Sequence, residues 1–179
     1  MALPTSIDPQ STVLFLGSGF SSGALAIGGK SPPLGRELSN ILADDLGLPR
    51  ERYELQTLAD AYSRRHEIGL ADKIRALYTI GSISAEQRTI LSHRWQRIYT
   101  TNYDDLVEFA YHSNGLNVSS YTYDDPKPAR IPRGSVIHLH GFVHKVKMKM
   151  LSSNWCLVRS LTYGSTLLSR HGTTNSSVT

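Results

Sequence analysis

Apolar positions along the chain fall into two kinds of run, unbroken and helically spaced, and the two kinds alternate. Val13, Leu14, Phe15 and Leu16 form an unbroken run, and the lack of alternation predicts a strand buried on both faces. Leu34, Leu38, Ile41, Leu42 and Leu46 then recur at helical spacing until Gly47 and Pro49 stop them. Leu55, Leu58, Ala59 and Tyr62 mark one face of a second helix over 51–66, and 68–80 predicts a third, closed by Gly81. Ser84 with Gln87 has the spacing of a capping box for a short fourth helix reaching about His93. Residues 34–93 are thus expected to be a helical section between the first strand and the next.

Strand chemistry returns at Arg97-Ile98-Tyr99-Thr100-Thr101-Asn102. Asp104 and Asp105 follow where a helix N-terminus favours carboxylates, and Leu106, Val107, Phe109 and Ala110 carry that helix to Asn114-Gly115. Residues 118–123 predict another strand, and 124–133, with three prolines, a loop. Ser135-Val136-Ile137-His138-Leu139-His140-Gly141 predicts a further strand ending on glycine. Strands alternating with helices imply an α/β fold, Rossmann-like, with a doubly wound, mainly parallel sheet.

Composition changes this picture mainly at the C-terminal end. The 179 residues carry a net charge of +4, which invites a nucleic-acid reading. Five of the 19 basic residues and none of the 15 acidic ones lie in 145–179, leaving 14 basic against 15 acidic residues in 1–144. The body therefore has no electrostatic case for binding a polyanion. The tail also holds 12 Ser or Thr. It reads either as an altered or truncated end of a longer domain or as a disordered Ser/Thr-rich tail. Trp155, Leu161, Leu167 and Leu168 favour the first. The division expected is 1–144 as one domain and 145–179 as an atypical basic tail, with the fold incomplete at its C-terminus. No apolar run approaches the ~20 residues that span a bilayer, and no basic residue precedes Val13 as a secretory signal would require. A single cysteine, Cys156, excludes an internal disulfide and a multi-cysteine zinc site. A cytoplasmic protein is expected.

Candidate chemistry gathers at three strand ends. After the first strand comes Gly17-Ser18-Gly19-Phe20-Ser21-Ser22-Gly23. Glycines there would turn the backbone through positive φ and let an anion approach, with N–H groups and small hydroxyls as donors. The spacing is neither Gly-x-Gly-x-x-Gly nor a Walker loop. Gly28-Gly29-Lys30-Ser31-Pro32-Pro33 suggests a flap over that loop. Thr100-Thr101-Asn102-Tyr103-Asp104 and Leu139-His140-Gly141 follow the second and the last of the clear strands. In an open parallel sheet the carboxyl ends of strands share one edge, where ligands bind. A phosphate cradle, an Asn able to orient a water or ribose hydroxyl, and a titratable His would converge there. Each piece also has a bland reading: a strand-end His is often structural, and an Asn before a helix is often a cap. His138 and His140, set on one strand face, raise a His-x-His metal option with His144, but no carboxylate or cysteine at ligand spacing supports it.

In this order, Gly17-Ser18-Gly19-Phe20-Ser21, Thr100-Thr101-Asn102-Tyr103-Asp104 and His140-Gly141 resemble the motifs of the sirtuin family. The stretch from Trp95 to Asp104 and Ile137-His138-Leu139-His140-Gly141 look more like the sirtuin-like NAD hydrolases of bacterial antiphage defence than like the deacylases. The resemblance covers about residues 12–144. It departs from the deacylases in lacking a four-cysteine zinc module, and Gly23-Ala24-Leu25-Ala26-Ile27-Gly28 replaces their Gly-Ile-Pro-Asp-Phe-Arg segment.

The resemblance implies hydrolysis of NAD to nicotinamide and ADP-ribose, in prokaryotic abortive-infection defence, with NAD as substrate and no zinc. It implies that Asn102 and His140 are catalytic, Asn102 holding the nicotinamide ribose and a water and His140 acting as base. It places Gly17, Ser18, Gly19, Phe20, Ser21, Thr101, Asp104 and Gly141 in the NAD site. Asp104 would either help to place the nicotinamide amide or cap its helix. Expected partners are NAD or ADP-ribose and a homo-oligomer or a partner effector or sensor chain, with neither nucleic acid nor membrane. A non-catalytic nucleotide-binding or interaction module, or a degraded inactive copy, is the alternative. Intact Asn102 and His140 favour the enzyme, and the tail favours the alternative.

Overall fold

A computed structural model of the chain describes residues 7–66, 69–122, 124–126, 128 and 130–145. Six strands are present among them: β1 (Val13–Leu16), β2 (Leu25–Ala26), β3 (Ile80–Ser82), β4 (Arg97–Thr100), β5 (Ser120–Thr122) and β6 (Ser135–His138). The helices are α1 (Gly35–Leu46), α2 (Leu55–Arg65), α3 (Leu70–Tyr78), α4 (Ala85–Leu91) and α5 (Leu106–Ser113). The four longer-range partners form one sheet in the order β1-β4-β6-β5, every pair parallel. This is an α/β, Rossmann-like arrangement. The helical section lies between β1 and β4 as expected, but it is interrupted by β3, and β2 precedes it; neither short strand was expected.

Register matters most for function. Leu16 pairs with Thr100, Thr100 with His138, and His138 with Thr122. The strands therefore end level, and the loops beginning at residues 17, 101 and 139 leave the sheet along one edge. Two further bonds extend the ladder past the strand ends: Thr101 N–H donates to the Leu16 carbonyl (3.1 Å), and Leu139 N–H to that of Thr100 (2.8 Å).

Two apolar cores flank this edge. One joins α1, α2 and α3 through Leu38, Leu42, Leu58 and Ile74 and reaches Tyr103, Phe142 and Val143 beyond the strand ends. The other sets α4 and α5 against the sheet through Leu91, Ile98, Leu106, Ala110 and Val136. Ser84 and Gln87 form the expected capping box at α4, with bonds of 2.8 and 3.2 Å. Gly47 ends α1 at φ 68°, a conformation that costs residues with a Cβ.

Two local expectations are corrected. Among the described residues β1 is an edge strand, with Val13 48% and Phe15 62% exposed, so it is not buried on both faces. An apolar run reports that a strand is sticky, whereas what packs on each face is a tertiary matter. The third helix stops at Tyr78 instead of Ile80, because Ile80–Ser82 pairs antiparallel with Leu25–Ala26. The Ile80 N–H is further taken by the Asp105 carboxylate at 2.7 Å. The expectations for the tail beyond Lys145, for Ile68 and for Tyr123 lie outside the described residues. No helix among those described is long and apolar enough to cross a membrane.

Candidate functional site

A cavity of about 490 Å³ opens at the shared strand edge, a size typical of small-molecule sites (roughly 300–1,000 Å³). Ser18 and Ser21 reach it from the first loop, Thr101, Asn102 and Asp104 from the second, and His140 from the third. The segment carrying Pro32, Pro33 and Leu34 forms the facing wall with Tyr78 and Tyr103. Tyr78 pins that wall by donating from its hydroxyl to the Pro33 carbonyl at 2.8 Å. Burial pushes the Tyr78 hydroxyl well above its ordinary range, so it remains a donor.

The first loop is built differently from its expected form. Residues Ser18–Ser21 make a 3-10 turn, with Gly17 in an extended conformation at φ −100°. Neither Gly17 nor Gly19 has positive φ. Both are exposed beside the cavity-lining Ser18 without lining the cavity themselves, and a Cβ on either would meet no protein atom within 4 Å. The protein leaves that ground open, and the N–H groups that start the turn have no partner within it. Gly23 is a packing glycine, since a Cβ there would come within 3.3 Å of the Ser84 Cβ. Phe20 is absent from the cavity lining. It packs against the sheet core, and its carbonyl accepts from the Gln87 side chain at 2.6 Å.

Asn102 is 8% exposed, and three of its four polar atoms are held by the protein. Its N–H donates to Thr100 Oγ1 (3.0 Å), its carbonyl oxygen lies 3.1 Å from His138 Nδ1, and its Nδ2 donates to Ser21 Oγ (2.7 Å). The fourth, Oδ1, is buried without a partner. A buried acceptor left unpaired in a cavity wall costs about 1–3 kcal/mol unless something from outside donates to it.

Ser21 passes its own proton on, donating to Asp104 Oδ2 at 2.6 Å. Asp104 Oδ1 accepts from the Leu106 N–H at 3.2 Å, so this carboxylate caps the start of α5 and lines the cavity as well. Burial raises the Asp104 pKa to about 6, against the hydrogen bonds from Ser21 and Leu106, which lower it. Because an ionised Asp104 can only accept, Ser21 must donate to it and accept from Asn102. That chain sets the Asn102 amide with its nitrogen toward Ser21 and its oxygen free.

His140 is half-buried on the cavity wall, and burial lowers its pKa below the usual histidine value. Gly141 follows at φ 116°, a left-handed conformation suited to glycine. The turn it makes returns the chain so that Val143 N–H bonds the Tyr103 carbonyl at 2.8 Å. His138 does not share a strand face with His140, because β6 ends at His138 and His140 belongs to the turn. His138 is wholly buried and bonds Glu108 Oε1 at 2.9 Å, while His144 bonds Asp105 Oδ2 at 2.6 Å. The three histidines thus go to three different partners or places. No group of three or more His, Cys, Asp or Glu among the described residues is arranged to hold a metal.

Glu108, Tyr78 and Tyr103 were not singled out by the sequence. Glu108 left a signal, being the one charge inside Leu106-Val107-Glu108-Phe109-Ala110. Tyr103 stood inside the Thr100–Asp104 motif with no role assigned to it, and Tyr78 left no signal.

These motifs now have a relative. Residues 96–170 match the family model of the SIR2-like domain. The matched stretch, under half of the chain, begins one residue before β4 and contains Asn102, Asp104, Glu108, His138 and His140. The SIR2-like match does not include the glycine loop, which joins the site through the sheet register and the Ser21 bonds. It supports a sirtuin-like domain with NAD-related function. No curated protein matches the chain.

Proposed function

We propose that this chain binds NAD at the strand-edge cavity and hydrolyses it to nicotinamide and ADP-ribose. The observation that carries the reading is Asn102 Oδ1, a buried acceptor without a protein partner in the same cavity wall as His140. A ribose hydroxyl or an attacking water would supply the missing donor. NAD brings a glycosidic bond to a cationic nicotinamide, and its cleavage by water yields nicotinamide, ADP-ribose and one proton.

The chain's own residues divide the work. The N–H groups of Ser18 and Gly19, unpaired within the turn, and the open space at Gly19 suit a pyrophosphate, which no Lys or Arg among the described lining residues would otherwise neutralise. Thr101 adds a hydroxyl beside it. Asp104 places negative charge near the cationic ring and near the positive charge that develops at the ribose as the bond opens. Asn102 orients the water, and neutral His140 takes its proton through a ring nitrogen. The setting in prokaryotic antiviral defence rests on the resemblance of residues 95–104 and 137–141 to the NAD hydrolases of that system.

The test is NAD turnover and ADP-ribose binding in Asn102→Ala. Turnover should fall at least a hundredfold, as for a lost transition-state contact (roughly 10²–10³), while ADP-ribose still binds. Full turnover in a folded Asn102→Ala protein would refute the role.

A further inference from the structure

Behind the cavity lies a buried polar chain that the proposed chemistry does not use. His138, 0% exposed, closes β6, and Glu108, 6% exposed, sits in the first turn of α5. His138 Nε2 meets Glu108 Oε1 at 2.9 Å, and Ser120 Oγ on β5 donates to the same Oε1. On its other side His138 Nδ1 reaches the Asn102 carbonyl oxygen at 3.1 Å. A carbonyl can only accept, so Nδ1 carries a hydrogen there. Phe142 stacks on the imidazole at 4.2 Å and 26°, which fixes the ring plane. Burial raises the Glu108 carboxyl, but its bonds and the charge of His138 outweigh this and hold it below its ordinary value.

Such a pair is a poor way to fill a core. Two buried ionisable groups lose their hydration, and apolar residues of equal volume are often as stable or more so. Glu108 Oε2 makes the cost plain, being buried with no partner at all. The chain ends at one place, the main-chain carbonyl of Asn102. Thr100 holds the N–H of that residue and Ser21 its Nδ2. His138 supplies the third anchor, and only Oδ1 is left over for a ligand.

We infer that His138 and Glu108 are positioning residues for Asn102, gripping its carbonyl and so fixing how its side-chain amide is held in the cavity wall. The inference rests on the proposed role of Asn102 in NAD cleavage. Neither residue lines the cavity, so both act through Asn102.

The test uses the full chain with Glu108→Ala, Glu108→Asp and Glu108→Gln. Three quantities are read: the NMR resonances of the Tyr103 N–H and the Asn102 side-chain amide, the ADP-ribose affinity, and NAD turnover per folded molecule. E108A removes the partner. E108D keeps the charge but shortens its reach by one carbon, and serves alone if E108A does not fold. Both should shift the Asn102 and Tyr103 resonances and lower turnover about 10–100-fold, the penalty for small misplacement of a reacting group, with ADP-ribose affinity little changed. E108Q, which can still bond Nε2, should recover most of the loss.

Unshifted resonances in folded E108D, parental turnover, or a loss of ADP-ribose affinity matching the loss of turnover would each overturn the inference. If the parent protein cleaves no NAD, the proposed function falls. The positioning role is then decided by the resonances and the ADP-ribose affinity alone.

Discussion

Replacing Asp104 by Asn should make the protein more stable at neutral pH and less able to cleave NAD. Asp104 is 5% exposed, and burial holds its pKa at about 6, against 3.8 for the unperturbed carboxyl. The sign follows from the raised value. Between about pH 4 and pH 6 the folded protein binds a proton here that the unfolded chain has released. Stability from this group is therefore complete below about pH 4 and is lost as pH rises through about 6. A difference of ~2 units at 1.36 kcal/mol each gives about 3 kcal/mol lost by pH 7. That is a large share of the ~5–15 kcal/mol of a typical domain.

Asn is nearly isosteric and carries no charge to desolvate, so Asp104→Asn should avoid this loss. It also gives up a charge-assisted bond with Ser21, which offsets part of the gain. Urea unfolding of parent and variant at several pH values from 4.5 to 8 would measure the difference, and groups common to both cancel. The variant's advantage should grow between about pH 4 and pH 6 and then stay level, with a melting temperature some 5–10 °C higher at pH 7.5. Turnover should fall, because an amide at residue 104 can donate to Ser21 and no longer dictates how the Asn102 amide is turned. A pH-independent difference, or a variant less stable than the parent at pH 8, would refute the reasoning.

His140 must be neutral to take a proton, and burial lowers its pKa. The acid limb of NAD turnover should accordingly lie below the ordinary histidine value of about 6.5, and a limb at or above that value would exclude His140 as the base. Gly19→Val should leave thermal stability within about 1 kcal/mol of the parent while abolishing ADP-ribose binding in calorimetry, because its side chain enters space the protein leaves open. Gly23→Val should do the reverse, losing about 1–3 kcal/mol to overpacking against Ser84, with residual binding in whatever fraction stays folded.

Local rules in the sequence determined the order of elements. An unbroken apolar run marked β1, and β-branched and aromatic residues marked β4 and β6. Spacing of three and four marked the helices, and Ser84-to-Gln87 marked the start of α4. Parallel pairing also followed from alternation, and with it the convergence of residues 17–21, 101–104 and 139–141 at one edge. What each side chain does at that edge was decided only by the tertiary structure. Ser21 lies 81 residues from Asn102 and 83 from Asp104, so no local pattern records that the three share one proton chain. Glu108 and His138 look in sequence like a stray acid and one histidine of a possible metal pair, and they become a clamp because β6 ends beside the first turn of α5. Phe15 shows the same limit in reverse: its apolar run promised burial, and among the described residues it stands 62% exposed. Backbone periodicity is a short-range property that the chain carries along its length. Burial, pKa and hydrogen-bond partnership depend on which distant segments arrive, and only folding supplies those.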